Sequence, residues 1–159
     1  MSGIIGGTGS RSRVLGRHAV ADTAIIAGQI GSASVNAGDL TADTLIPFDE
    51  FWADQGGISY DSSSKKFTVP VVGIYRITLN PMITQQNSAR IRIGINTTTP
   101  DSTSHRGTAY RGVGDYDTLC IDSTLLLQAN DYIVFRLQQG QMYNLSNDRF
   151  TQFSIQLIG

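Results

Sequence analysis

The chain has 159 residues, 40% of them hydrophobic, enough for one globular domain with a core and too short for two ordinary ones. Its net charge of −1 lacks the basic excess of a nucleic-acid-binding protein. Only 16% of residues are charged, against roughly 25% in typical soluble domains, which points to surface buried in an assembly.

Residues 1–45 are rich in Gly, Ala, Ser and Thr and hold none of the chain's aromatic residues. They read as an extended N-terminal arm, 1–45, preceding a domain over 46–159. Within the arm, Ile4, Ile5, Val14 and Leu15 form two short apolar clusters spaced by glycine and serine. The first acidic residue is Asp22, so Arg11, Arg13 and Arg17 stand without compensation, suited to an acidic protein surface. "GGTGSRS" lacks a Walker lysine and follows no predicted strand, so it reads as a linker and not a phosphate loop. "HAVADTAIIAGQIGSA" is broken by Asp22 and Gln29 and makes a poor signal peptide. No apolar stretch approaches the roughly 18 residues of a membrane span. The sequons at Asn96 and Asn144 therefore read as coincidences.

From Ile46 onward period-two patterns dominate and turn signals separate them. Lys65 and Lys66, the only lysines, stand at the wet end of a turn begun by Tyr60-Asp61 and the serines. Phe67 then enters the core, Pro70 ends that short strand, and Gly73 lets the chain swing into a longer one. "GIYRITLN", "ARIRIGIN", "STLLLQ", "YIVFRLQ" and "FTQFSIQLIG" predict further strands, with no convincing helical period. The expected core is Tyr75, Ile77, Leu79, Ile91, Ile93, Leu125, Leu127, Phe135, Phe153 and Ile155. Many short, evenly punctuated strands predict an all-β sandwich or jelly roll of about eight to ten strands in two packed sheets.

Chemistry-bearing residues are sparse. Cys120, the single cysteine, excludes an internal disulfide framework and lies in a strand-like run, where it reads as a buried thiol. Asp115, Asp117 and Asp122 cluster near Tyr116, but a polar loop accounts for them and no metal site is assigned. His18 and His105 lack partners in any motif, no catalytic arrangement is present, and no cofactor is implied. If "GIYRITLN" and "ARIRIGIN" pair as neighbours, Arg76, Arg90 and Arg92 share one outward face. Local ion pairs would explain them; the alternative is a docking face for an acidic partner.

"FDEFWADQGGISYDSSSKKFTVPVVGIYRITLN" resembles the signature of complement C1q-like domains, relatives in fold of the tumour necrosis factor family. The matching residues are Phe48-Asp49, Tyr60-Asp61, Phe67, Pro70, Gly73 and Tyr75. Gln128 to Asp131 is similar to the family's tight turn, with Asn130 in place of glycine, and Phe153 stands at the aromatic position of the closing strand. The resemblance covers about 46–159 and implies a ten-stranded-type jelly-roll sandwich that forms a ligand-binding, non-enzymatic homotrimer. The collagen stalk usual in that family is absent, since the arm has no Gly-X-Y period.

The arm segment "MSGIIGGTGSRSRVLG" is similar to a short N-terminal motif on structural proteins of tailed bacteriophages. Together these resemblances imply a virion structural protein on the capsid or tail exterior. The first expectation is a trimeric capsid decoration (cement) protein whose arm grips the major capsid protein or another virion protein. The alternative is a short tail-fibre or tail-tip protein whose knob binds a host-surface glycan, with Tyr110, Tyr116 and Tyr143 available to stack on sugars. A free cytokine-like module is disfavoured, and neither nucleic acid nor membrane is an expected partner.

Overall fold

The computed structural model describes residues 24–30, 40–84, 88–112, 117–143 and 151–159. Among them are fifteen strand segments and no helix. They are β1 Ile25–Gln29, β2 Leu40–Thr41, β3 Thr44–Leu45, β4 Glu50–Gln55, β5 Ser59–Asp61, β6 Lys66–Thr68, β7 Gly73–Asn80 and β8 Met82–Ile83; then β9 Ala89–Ile95, β10 His105–Arg111, β11 Asp117–Thr118, β12 Ile121–Leu127, β13 Tyr132–Gln139, β14 Gln141–Met142 and β15 Gln152–Leu157. The first sheet runs β12-β7-β15-β1-β4 and the second β10-β9-β13-β6-β5, with β3 also on β13. A small third sheet, β11-β8-β14-β2, lies beyond the far end of β7. Two antiparallel sheets around one core make this a jelly-roll sandwich, as the period-two patterning predicts.

Alternation decides what faces inward. Tyr75, Ile77, Leu79, Ile91, Ile93, Leu127, Phe135, Phe153 and Ile155 are buried as expected, and Leu125 is half-buried against them. The centre is a set of rings drawn from both sheets. Phe48 lies 4.3 Å from Phe153 and 5.6 Å from Phe67, and Phe67 lies 4.8 Å from Phe153, all centroid to centroid. Phe135 closes the set from β13.

The domain begins earlier than the expected boundary at Ile46. β1 lies between β15 and β4 in the first sheet, and Ala24, Ile26 and Ile30 belong to the core. A segment of small residues cannot build a core alone, but a strand inserted between two others borrows theirs. Smallness is required here: a Cβ on Gly28 would lie 2.2 Å from the Glu50 carbonyl oxygen. The rest of the expected arm, 1–23 and 31–39, lies outside the described residues.

Cys120 is also corrected: it is exposed. It stands between buried Leu119 and buried Ile121, so the same alternation that buries its neighbours turns it outward.

The turns behave as read. Asp61 accepts hydrogen bonds from the Ser63 N–H at 2.9 Å and from the Ser63 and Ser64 hydroxyls, each at 2.6 Å. The Ser63 hydroxyl above all holds its carboxyl well below the usual carboxylate range. Lys65 takes a positive φ of 59° to close the turn, and Lys66 places its ammonium 4.3 Å from the Tyr132 ring centroid. Asn130 takes the left-handed conformation (φ 70°) expected of the residue replacing glycine.

Two predictions follow from this core. Phe153→Ala should destabilise the domain by about 3–5 kcal/mol in a denaturant titration, the range for a buried aromatic. Burial pushes the Tyr60 phenol up to about 12 while its oxygen accepts the Phe48 N–H at 2.9 Å. A raised pKa favours the protonated, folded form. That stability is therefore complete below about pH 10 and lost as pH rises through about 12. Tyr60→Phe should cost about 1 kcal/mol at neutral pH and flatten the alkaline part of the stability curve, measured by thermal melts across pH.

Candidate functional site

The outward faces of the two sheets differ in chemistry. On the first sheet β7 pairs β12 and β15, so Ile74 stands beside Leu126, and Arg76 between Thr124 and Gln156. In the next row Thr78 stands between Asp122 and Ser154. The charge on these rows is one fork-to-fork pair, Arg76 Nε to Asp122 Oδ1 at 3.0 Å and Nη2 to Oδ2 at 2.5 Å. That contact raises the Arg76 pKa and lowers that of Asp122. Thr78 and Ser154 hydroxyls share a hydrogen bond of 2.7 Å. The remainder is neutral.

At one end of this face the neutral surface becomes apolar. Leu126 is 68% exposed, Val72 59%, Ile158 52% and Ile74 41%. The Ile158 N–H bonds the Ile74 carbonyl at 2.7 Å, and the Leu157 N–H bonds the Ala24 carbonyl at 2.8 Å. The apolar cluster therefore sits where residue 24 brings the chain into the domain. A cleft lined by Ile95, Arg106, Leu125, Leu126, Leu127 and Asp131 opens beside it.

The expected three-arginine face is not formed. β7 belongs to the first sheet and β9 to the second, so Arg76 is separated by the whole core from Arg90 and Arg92. Consecutive strands in sequence need not pair, and here the chain changes sheets between them. Arg92 instead faces Arg136 on β13, a residue the sequence reading passed over. On the other side Arg92 pairs with Thr108 and Arg90 with Tyr110 of β10.

Of the other expected residues, Ile4, Ile5, Arg11, Arg13, Val14, Leu15, Arg17, His18, Asp115, Tyr116 and Asn144 lie outside the described residues. Asp122 is committed to Arg76. Among the described residues no group of three His, Cys, Asp or Glu side chains is placed to hold a metal. Tyr110 is exposed, whereas Tyr143 is half-buried. The Asn96 amide is engaged at both ends, donating to Asp131 at 2.7 Å and accepting the Tyr132 N–H at 2.9 Å.

Comparison with solved structures gives many matches, among them two that cover 87% and 86% of this chain. One is a tumour necrosis factor, Eiger, from S. frugiperda: TM-score 0.64, 8% identity, covering 87% of this chain and 94% of that one. The other is the globular domain of zebrafish complement 1qA: TM-score 0.61, 11% identity, covering 86% and 98%. The fold is the one shared by tumour necrosis factor and C1q globular domains. No family model and no curated protein matches the chain in sequence. At this identity the likeness fixes the C1q/TNF-like architecture and nothing finer. It also accounts for the agreement between the motif residues and their places: Phe48, Phe67, Tyr75 and Phe153 are core, and the 128–131 turn joins β12 to β13.

Proposed function

We propose that this protein is a virion structural protein of a tailed phage and not an enzyme: a homotrimeric jelly-roll knob that decorates the capsid exterior. Its N-terminal arm attaches it to the major capsid protein. The observation that carries the reading is the neutral outward face of the first sheet, with Leu126, Ile74, Val72 and Ile158 exposed together. Contiguous apolar exposure of this kind marks a surface meant to be covered. A second and third copy are the occupants that the C1q resemblance implies.

The arm then acquires a geometric role. Because Ala24 is bonded to Leu157 beside the apolar cluster, trimer formation on that face would bring three arms out near one axis. Ordering a chain costs about 1–2 kcal/mol per residue, so each arm needs an extensive partner surface, and three arms add avidity. Ile4, Ile5, Val14 and Leu15 supply apolar contacts, and Arg11, Arg13 and Arg17 supply charge-assisted hydrogen bonds to acidic groups. The reading involves no cofactor, metal, nucleic acid or membrane.

A second reading places the same trimer at the tail tip as a receptor-binding knob. It is favoured by Tyr110, an aromatic ring 57% exposed on the second sheet, near the end of the domain away from Ala24. Copy number on the particle separates the two readings.

Leu126→Arg should leave the protomer folded, since the side chain is outside the core, and weaken self-association at least tenfold, about 1.4 kcal/mol. Light scattering across a dilution series measures this. A mutant that stays trimeric moves the interface elsewhere. Deleting residues 1–17 should leave a folded trimer that no longer binds particles, scored by co-sedimentation. Full decoration by the truncated protein would place attachment in the domain, and loss of the trimer would make the arm an assembly element.

A further inference from the structure

The outer face of the second sheet holds charge that the fold does not balance. Arg90 and Arg92 lie on the same side of β9, and Arg136 lies opposite Arg92 on β13. Two residues apart along a strand is about 7 Å, and neighbouring strands are about 4.8 Å apart. Three guanidinium groups therefore share one small area. Among the described residues the carboxylate that reaches them is Asp43, 3.2 Å from Arg136 Nη2, with its own side chain 75% exposed. Like charges placed directly opposite each other destabilise a sheet. A surface ion pair with so exposed a partner offsets little of that.

Arg92 is the unusual member. The residue is 7% exposed, its Nη1 donates to the Pro100 carbonyl at 3.3 Å, and its buried Nε has no partner. A buried cation with one long hydrogen bond to a neutral oxygen is poorly compensated. What covers it is the loop after β9, folded back over the sheet. Arg136 Nη1 bonds the Thr98 carbonyl at 3.0 Å, Pro100 is buried, and a Cβ on Gly94 would lie 2.5 Å from the Thr97 carbonyl oxygen. The carbonyls of this loop hold the arginines in place but cannot neutralise them.

Beside these charges stands a ring. The Arg90 guanidinium lies 5.3 Å from the Tyr110 ring centroid, and Tyr110 is 57% exposed. A tyrosine presents an apolar face and a polar tip, suited to the C–H face of a sugar and its hydroxyls. A guanidinium fork matches a carboxylate or sulfate group through paired N–H donors.

We propose that the outer face of the second sheet binds an acidic saccharide, whose carboxylate or sulfate group is held by Arg90, above the uncompensated charge of the buried Arg92, while its ring stacks on Tyr110. An acidic protein segment would satisfy the arginines equally but gives the exposed ring no role, so the saccharide is the better fit. The inference deepens the receptor-binding reading by naming the sugar class, and it holds for a knob on either capsid or tail. The site lies on the other sheet from the proposed trimer face.

The test uses the full chain and four probes in calorimetric titration: a sulfated oligosaccharide, an oligogalacturonate, a neutral dextran and polyglutamate. Binding to one or both acidic sugars, weakening with salt, and none to dextran or polyglutamate is the expected result. The sulfated and carboxylated probes tell the two anions apart. Arg90→Gln and Tyr110→Ala, both outside the core, should each weaken that binding at least tenfold with unchanged melting temperature. Arg90→Lys keeps the charge but loses the fork and should weaken it as well. Polyglutamate binding as tightly as the sugars would overturn the saccharide assignment. Affinity unchanged in Arg90→Gln and Tyr110→Ala would overturn the site. Binding to dextran alone would overturn the acidic inference and leave the receptor reading standing.

Discussion

The structure depends on one interlock of aromatic rings. Phe153 comes from the first sheet, Phe67 and Phe135 from the second, and Phe48 from the connection between β3 and β4, and all four meet in the space between the sheets. Rings of this size bury large apolar area and favour tilted or edge-on contacts. Their geometry therefore fixes both the separation and the relative placement of the two sheets. Gly28 lies under Phe153, and Phe51 packs edge-on to it at 6.0 Å, so β1 and β4 take their positions from the same ring.

With the inner faces committed, the outer faces are free to differ. The β7, β12 and β15 rows of the first sheet turn out threonine, serine, glutamine and isoleucine around a single ion pair, a surface poorly protected against association. The second turns out arginines, one of them driven under a returning loop. On the second sheet, backbone carbonyls of the loop after β9 cover the Arg92 and Arg136 side chains. Among the described residues the low charge shows on the outward rows of β7, β12 and β15, while Arg90, Arg92 and Arg136 gather on the second sheet.

The left-handed residues mark where this arrangement is tied off. Asn96 closes β9 and bonds both Asp131 and the Tyr132 N–H, while Asn130 closes the adjacent turn. Asp43 carries its positive φ next to β3 and reaches Arg136. Each occupies a conformation that costs a residue with a Cβ something. Asparagine and aspartate tolerate it better than most residues with a Cβ, and Asn96 and Asp43 tie their side chains to distant partners, Asp131 and Arg136. Lys65 has a longer reach and returns its ammonium to the Ser62 carbonyl.

Period-two alternation is a local property of an extended chain, so the sequence by itself was enough to determine β6, β7, β9, β12, β13 and β15, the inward faces of β7, β9, β13 and β15, and the turns at 61–65 and 128–131, while β4 and β10 went unread. It also held, unread, the sign of the apolar patch: in "STLLLQ" the middle of three consecutive leucines must point away from the face its neighbours take, and Leu126 does. What it could not determine was which strand lies beside which, because pairing is decided by distant segments competing for the same edge. So Arg76 parted from Arg90 and Arg92, Arg136 joined them, and the strand at 25–29 entered a sheet it had seemed only to precede. Cys120 went outward between buried Leu119 and buried Ile121, because alternation sets its side and its apolar neighbours do not. The imbalance of charge around Arg92 exists only once three strands and a loop have met. Only the tertiary structure decided it, because burial and proximity are properties of the folded chain and not of any segment of it.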